Sequence, residues 1–164
     1  MPLEQYWHKR TFDRTPEPEG SELPPLPGSL RRFVVGRHRA TRLHYDLRLE
    51  IGGVLVSWAL PRGPSMEPLA KRRAARTEDH PIEYLDFEGI IPKGEYGGGD
   101  AIVWDNGSWD PELEEDPAES IANGEQKVVL HGQRLSGRFA FVRTGVVRGK
   151  EDWLVFRKSE GAVE

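Results

Sequence analysis

Residues that can bind a metal or a phosphate alternate with apolar residues in one short stretch, HYDLRLEI (44–51). The polar positions are His44, Asp46, Arg48 and Glu50, and the positions between them are apolar: Tyr45, Leu47, Leu49 and Ile51. In a strand, residues two apart point to the same side, so His44, Asp46 and Arg48 would project as one row. A helix would mix the two sets, so the pattern predicts a strand with one polar face.

This polar face could hold a transition metal. His38 precedes the strand by a short connection and could fold back toward His44 and Asp46. Two imidazoles and one carboxylate form half of an octahedral shell and leave open positions, which suits Mn²⁺, Fe²⁺ or Zn²⁺. The guanidinium of Arg48 could bind a phosphate through two hydrogen bonds. A solvated strand also shows such His-x-Asp pairs, so the motif alone leaves both interpretations open.

A second group of candidate residues follows in RTEDHPIEY (76–84), where His80 stands four residues before Tyr84. Both could instead be structural, as a hydrogen-bonded histidine and a core aromatic residue. The basic run KRRAAR (71–76) just before them could contact a nucleic-acid backbone, although such runs are usually solvated. The glycines of YGGGD (96–100) lack the Lys-Ser/Thr of a P-loop and indicate a bend or close backbone approach entering a strand.

Composition restricts the class of protein. The chain has 164 residues, of which 37% are hydrophobic and 30% charged, so we expect one globular domain with a modest core. There is no cysteine, so a metal would need histidine and carboxylate ligands. We find no signal-peptide pattern and no apolar run of membrane-spanning length, and we expect a cytoplasmic protein. The net charge is -4, yet residues 31–80 hold eleven basic and five acidic residues, a local field that suits one anionic ligand.

The elements that must position these residues are predicted to be mostly strands. Residues 1–29 contain six of the thirteen prolines and are predicted to be an extended arm, with residues 30–164 as a single β-barrel domain. Predicted strands lie at RRFVVG, HYDLRLEI, VLVSWALP, DAIVWDNGSW, KVVLHG, LSGRFAFVRT and DWLVFRK. Gly52-Gly53 and Asn106-Gly107 predict hairpin turns. DPAESIANG (116–124) predicts a helix capped by Asp116, and EPLAKRRAAR (67–76) is a weaker helix candidate.

Many short strands with little helix predict a compact antiparallel β-barrel that is closed or nearly closed. Such a barrel could carry the polar row of residues 44–50 on one of its faces.

Several segments together resemble a known family, the 3′-phosphoesterase domain of bacterial DNA ligase D, the multifunctional ligase of non-homologous end joining, and its stand-alone relatives. The segments are KRTFDRTPEP, FVVGRHRATRLHYDLRLE, SWALPRGPS, RTEDHPIEYLDFEGIIPKGEYGGGDAIVWDNGSW and WLVFRK, so the resemblance covers nearly the whole chain. It implies a β-barrel with a polar crater and a manganese-dependent enzyme that trims DNA 3′ ends. One implied activity removes a terminal ribonucleoside and leaves a 3′-phosphate, and the second removes that phosphate.

The resemblance also implies roles for individual residues. His38, His44 and Asp46 match the metal ligands, and Arg48, His80 and Tyr84 match residues that contact the scissile phosphate. The substrate-binding positions that match are Arg10 and Glu17 in the arm and Ser57, Arg62, Arg72 and Glu78 in the crater. The implied partners are DNA or primer–template 3′ ends bearing a ribonucleotide or a 3′-phosphate, an end-joining ligase, a polymerase and Ku. We expect a monomer that does not bind membranes.

The sequence departs from the family pattern at two places. The family's arm usually reads Lys-Arg-Asp-Phe, but Thr11 replaces the carboxylate here, and Pro61-Arg62-Gly63 replaces Pro-Lys-Gly. These changes leave the balance between the two activities open. Two other functions stay open as well: an iron oxygenase whose third ligand is His80, and a non-catalytic nucleic-acid-binding barrel of an end-joining complex.

Overall fold

The computed structural model describes residues 2–20, 31–113 and 115–159. The strands are β1 (Arg32–Arg39), β2 (Leu43–Ile51), β3 (Val54–Leu60), β4 (Arg72–Arg76), β5 (Gly89–Ile91), β6 (Gly99–Pro111), β7 (Glu125–Gly132), β8 (Ser136–Val147) and β9 (Lys150–Arg157). The helices are α1 (Glu4–His8), α2 (Pro117–Ala122) and a 3₁₀ helix (Ile82–Asp86). Within the described ranges, no helix is long and apolar enough to cross a membrane.

Eight of the strands close into an antiparallel barrel. They pair in the order β1-β2-β3-β4-β9-β8-β7-β6, and β6 pairs in turn with β1, which closes the ring. Among the described residues, strand β5 pairs with β6 alone, and it stands outside the ring. The mainly-β barrel that the short strands and turn signals predicted is therefore confirmed.

The apolar face of β2 points into the barrel. Leu47, Leu49 and Ile51 join the main core, in which the Trp58 ring lies 4.8 Å from Phe141 and 5.4 Å from Trp153. Burial of each such side chain contributes about 1.5–3 kcal/mol. A slip of β2 by one residue would forfeit this burial, so the core sets its register. The polar row of β2 consequently lies on the outer face of the barrel.

A second apolar cluster covers this outer face. Tyr6 of α1, Leu55 of β3 and Tyr84 of the 3₁₀ helix form its buried centre. The partly buried side chains packed around them are Trp7, Phe12, Ile82, Leu85 and Phe87. We call residues 2–20 together with residues 80–87 the outer layer. Because the outer layer packs on the barrel wall, charged side chains of that wall such as Arg48 are buried, at 6% exposure.

Two predictions about the local chain are wrong. Asn106-Gly107 is not a hairpin turn, because β6 runs through it and pairs with both β1 and β7. Gly107 instead permits the close approach of β7, since a Cβ there would lie 2.1 Å from the carbonyl oxygen of His131. Residues 67–76 are not a helix: β4 forms there and inserts Ala74, fully buried, into the barrel core. Long-range pairing overrides the local preference in both cases.

The N-terminal arm is only partly extended. The helix α1 interrupts it because Leu3 and Tyr6 on one side of that turn are completely buried. The rest of the predicted arm, residues 21–29, lies outside the described residues. The helix predicted after Asp116 is present as α2, and the Asp116 side chain accepts a hydrogen bond from the backbone N–H of Ala118 at 3.3 Å.

Candidate active site

Three potential metal ligands meet on the outer face of the β1–β2 hairpin. His38 and His44 are direct cross-strand partners, and Asp46 follows His44 on the same face. One ligand atom from each lies within 4.8 Å of the others. The carboxylate of Asp46 is 3.6 Å from Nδ1 of His38 and 3.3 Å from Nε2 of His44. The structure thus brings together the three residues that the sequence singled out.

Backbone carbonyls orient both imidazoles. Nε2 of His38 donates to the carbonyl of Gly97 at 2.6 Å, and Nδ1 of His44 donates to that of Arg42 at 3.3 Å. A ring nitrogen that donates to a carbonyl carries a proton, so the other nitrogen of each ring faces Asp46 and is the one that can bind a metal. Two oriented imidazoles and one carboxylate fit a divalent transition metal better than an oxygen-seeking Mg²⁺ or Ca²⁺.

Asp46 is held in its ionised form. Burial alone would favour the neutral acid, but the adjacent imidazoles of His38 and His44 and the charge of Arg48 hold the pKa of Asp46 well below its usual range. The Asp46 carboxylate beside it raises the pKa of His44. Nη2 of Arg48 lies 3.6 Å from the carboxylate. A negative ligand is therefore in place on this face.

Two guanidinium groups flank the imidazole of His80. Nη1 of Arg48 lies 3.1 Å from Nδ1 and Nη2 of Arg10 lies 3.4 Å from Nε2. Nδ1 donates to the backbone carbonyl of Glu78 at 2.8 Å, which leaves the lone pair on Nε2. Burial and the charges of Arg48 and Arg10 lower the pKa of His80 well below its ordinary value. The ring is accordingly neutral between two cations, an arrangement that can receive an anion.

Two carboxylates hold Arg10 in place, and a phenol binds one of them. Its Nε is 2.9 Å from Glu17 and its Nη1 is 3.1 Å from Glu78, with all three side chains at most 5% exposed. The hydroxyl of Tyr84 donates to the same Glu17 carboxylate at 2.8 Å. Burial, reinforced by Glu17, raises the pKa of Tyr84, so the phenol keeps the proton that it donates. Arg48 in turn stacks 4.7 Å over the Tyr84 ring, so both arginines are anchored by the outer layer.

Most of the predicted site residues line one pocket of about 270 Å³. Those in its wall are Arg10, Glu17, His38, His44, Asp46, Arg48, Glu78, His80 and Tyr84. Ser57 lies behind the wall, where its Oγ donates to the carbonyl of Leu55 and is 3.4 Å from Nδ1 of His80. Arg62 and Arg72 lie outside the wall and contact each other, through a hydrogen bond of 3.3 Å from Arg72 to the Arg62 carbonyl. Their contact with substrate stays a prediction.

Sequence reasoning missed two tyrosines near the pocket. The ring of Tyr6 lies 5.0 Å from the His80 ring and 4.0 Å from Cζ of Arg10. Tyr96 lines the pocket mouth and precedes Gly97, whose carbonyl orients His38. A signal for Tyr6 was available, because EQYWHKR places two aromatic residues just before Arg10 in an otherwise polar arm.

The iron-oxygenase alternative requires His80 as the third metal ligand beside His44 and Asp46. The third member of the ligand group is His38, whereas the nitrogens of His80 face the Glu78 carbonyl and the two arginines. The facial triad that would include His80 is therefore not assembled among the described residues.

Comparisons with known proteins identify the family to which the chain is similar. A family model described as the DNA Ligase D 3′-phosphoesterase domain matches residues 36–143. The chain is 47% identical over 161 residues to the multifunctional non-homologous end joining protein LigD of Pseudomonas aeruginosa, covering 98% of the chain and 19% of that protein. It is 46% identical to the protein of the same name from Mycolicibacterium smegmatis, covering 96% of the chain and 21% of that protein. It is also 46% identical to the multifunctional non-homologous end joining DNA repair protein LigD of Mycobacterium tuberculosis, over 94% of the chain and 19% of that protein. The chain thus spans about a fifth of the length of these relatives.

Proposed function

The chain belongs to the family of DNA ligase D 3′-phosphoesterase domains, and on this premise we propose that it is a metal-dependent hydrolase that processes DNA 3′ ends for end joining. One activity removes a terminal ribonucleoside and leaves a 3′-phosphate, and the other converts that phosphate to a 3′-hydroxyl. The observation that carries the proposal is the position of His38, His44 and Asp46 in the same pocket as the anion-receiving pair Arg48 and His80.

His38, His44 and Asp46 hold the metal in this proposal, and the family resemblance favours Mn²⁺. Such an ion would supply Lewis acidity for cleavage of the phosphate ester. The protein supplies the orientation of this ligand set, because the carbonyls of Arg42 and Gly97 keep both imidazoles turned toward Asp46.

Arg48 and Arg10 bind the scissile phosphate from two sides of His80. Charge that builds up on the phosphate oxygens during bond cleavage is stabilised by these guanidinium groups, which are already in position and shielded from water. Glu17 and Glu78 hold Arg10 in position, and the Tyr84 ring supports the Arg48 guanidinium.

His80 donates a proton to the leaving oxygen. Burial and the charges of Arg48 and Arg10 keep it neutral, but a phosphate between the two guanidinium groups would offset their charge and raise the pKa of His80. The proton enters at Nε2, because Nδ1 already donates to the Glu78 carbonyl. In the competing role His80 stays protonated and holds the phosphate through a hydrogen bond, with no proton transfer. A pH–rate profile distinguishes the two roles, because replacing a proton donor by alanine removes a limb of the profile.

The test of the function uses a 5′-labelled primer–template that ends in one ribonucleotide, incubated with and without Mn²⁺. We expect two successive products, first a shortened primer with a 3′-phosphate and then one with a 3′-hydroxyl, only when the metal is present. The D46A variant should form neither. The H131A variant is the matched control, since His131 pairs with Asp110 at 3.0 Å on the exposed surface away from the pocket.

DNA binding that survives EDTA, with an unchanged 3′ end under every metal condition, would overturn the enzymatic proposal in favour of a non-catalytic binding barrel. Because the chain spans about a fifth of its multifunctional relatives, we further propose that a ligase, a polymerase and Ku act with it as partners.

A further inference from the structure

An aromatic ring stands exposed at the mouth of the pocket. Among the exposed large apolar side chains of the described residues, Tyr96 is the aromatic one, at 47% exposure, and it lines the pocket. Rings that combine an apolar face with a polar tip are common in binding surfaces. The Tyr96 ring has no part in the proposed hydrolysis.

The loop that carries Tyr96 is tied to the candidate metal centre. Two successive turns form it, with hydrogen bonds from Glu95 N–H to the Pro92 carbonyl at 3.1 Å and from Gly98 N–H to the Glu95 carbonyl at 3.0 Å. The carbonyl of Gly97, the residue after Tyr96, accepts the hydrogen bond that orients His38. The ring is therefore held at a defined place beside the ligand group.

The ring also adjoins the groups that receive the phosphate. Cζ of Arg10 lies 5.3 Å from the centroid of the Tyr96 ring, and the same guanidinium lies 3.4 Å from His80. Nζ of Lys9 lies 4.9 Å from the centroid and donates to the Tyr96 hydroxyl at 3.4 Å. A phosphate between Arg10 and Arg48 would therefore place an adjacent nucleoside next to this ring.

We propose that Tyr96 is a stacking platform for the nucleobase adjacent to the scissile phosphate. The inference rests on the proposed function, because it needs the phosphate of a DNA 3′ end in the pocket. Stacking accepts every base, since each base has a π face. Tyr96 thus allows the enzyme to bind a terminal nucleoside firmly without reading the sequence, while the cations beside it contact the backbone.

The test measures binding of fluorescent primer–templates in EDTA, so that no end is processed. One pair carries a 3′-phosphate and has either an intact or an abasic terminal nucleotide. A second pair ends in a ribonucleotide, with the base present or absent. In at least one pair we expect the wild type to bind the intact end about tenfold or more tightly, equivalent to about 1.4 kcal/mol. The pair that shows the difference identifies which nucleoside stacks.

Three variants separate stacking from other roles of Tyr96. Y96F should keep the preference for the intact end, and Y96A should lose it. I90A is the matched control, because Ile90 is 71% exposed on the neighbouring strand β5 but does not line the pocket, and it should keep the preference. Equal weakening of intact and abasic ends in Y96A would overturn the proposal and mean that Tyr96 only supports the loop. Loss of the preference in Y96F would overturn it as well, by pointing to the hydroxyl.

The same measurements distinguish a failure of the stacking role from a failure of the proposed function. A wild-type protein that processes 3′ ends but binds intact and abasic ends equally would refute the stacking role and leave the function standing. A wild-type protein that neither binds nor processes 3′ ends, with Mn²⁺ present in the processing assay, would refute the function and this inference with it.

Discussion

Arg10 and Lys9 are adjacent cations that share one carboxylate, Glu78, but differ in burial. The Arg10 side chain is 5% exposed and also binds Glu17, whereas the Lys9 side chain is 38% exposed. We expect R10M to weaken the docking of the N-terminal arm far more than K9M does. The pair is a matched comparison, because both changes remove one positive charge from the same part of the arm.

The structure sets the size of the difference. R10M leaves the Glu17 and Glu78 side chains, 1% and 2% exposed, without their shared guanidinium, and breaking a buried ion pair costs about 3–5 kcal/mol. Lys9 and the Tyr84 hydroxyl remain as partners of the two carboxylates, so we expect the lower end, about 3 kcal/mol. Lys9 is itself the exposed member of its pair with Glu78, which keeps Arg10 as a partner in K9M, so losing Lys9 costs at most about 1 kcal/mol.

Hydrogen exchange measures this difference directly. The amides of α1 and its end, such as Trp7 N–H to the Leu3 carbonyl at 2.9 Å, exchange only when the arm opens. R10M should accelerate their exchange by about two orders of magnitude, and K9M by about fivefold at most. Amides of β8 serve as an internal reference, because the arm packs on the outer cluster and not in the barrel core.

Equal exchange of the arm in R10M and K9M would refute the reasoning. A triple variant, R10M with E17Q and E78Q, checks the electrostatic cause. It should recover part of the loss, because neutral amides tolerate burial better than unpaired carboxylates. Failure to recover any of it would mean that the packing of Arg10 on Tyr6 dominates instead.

Three further predictions follow from single residues. D46N should weaken Mn²⁺ binding in titration calorimetry by more than about 100-fold, and unchanged affinity would rule Asp46 out as a ligand. His80 has a lowered pKa in the folded protein, so its contribution to stability is present above its ordinary pKa of 6.5 and is lost as pH falls below that value, by up to about 1.4 kcal/mol per pH unit. Urea unfolding of H80N between about pH 7 and about pH 5 should show a shallower pH dependence than wild type, and an identical dependence would contradict this cause. G99A should lower the free energy of unfolding by about 2 kcal/mol or more, because its Cβ would lie 1.9 Å from the Arg39 carbonyl oxygen at a φ of +137°. G145A has open space around its Cβ and should change that free energy by less than about 0.5 kcal/mol. Urea unfolding of both variants measures the two effects, and equal effects would contradict the steric argument.

The candidate metal centre could be predicted because its geometry is local. His38 and His44 lie on opposite sides of one short turn, and the register of a hairpin makes them neighbours. Asp46 then follows by the two-residue period of a strand. The predicted bend at Gly97–Gly99 holds for the same reason, since its turn hydrogen bond joins Gly98 to Glu95, three residues away. The close backbone approach at Gly99, in contrast, is to Arg39 of the distant strand β1.

Predictions that depended on distant partners failed or could not be made. Asn106-Gly107 has the preferred residues of a hairpin turn, but pairing with β1 and β7 keeps the chain extended there. Residues 72–76 form a strand because β3 and β9 need a neighbour to close the barrel. The residues of this segment alone do not indicate that β3 and β9 will pair with it.

The sequence by itself determined that β2 has an apolar face and a polar face, because alternation is a property of consecutive residues. It could not determine whether the polar face meets water. Only the tertiary structure decided this, by packing residues 2–20 and 80–87 on the outside of the barrel. That outer layer buries Arg48, lowers the pKa of His80 and brings Arg10 to the pocket. The polar face of an ordinary strand becomes a candidate active site because segments far apart in the chain exclude water from it.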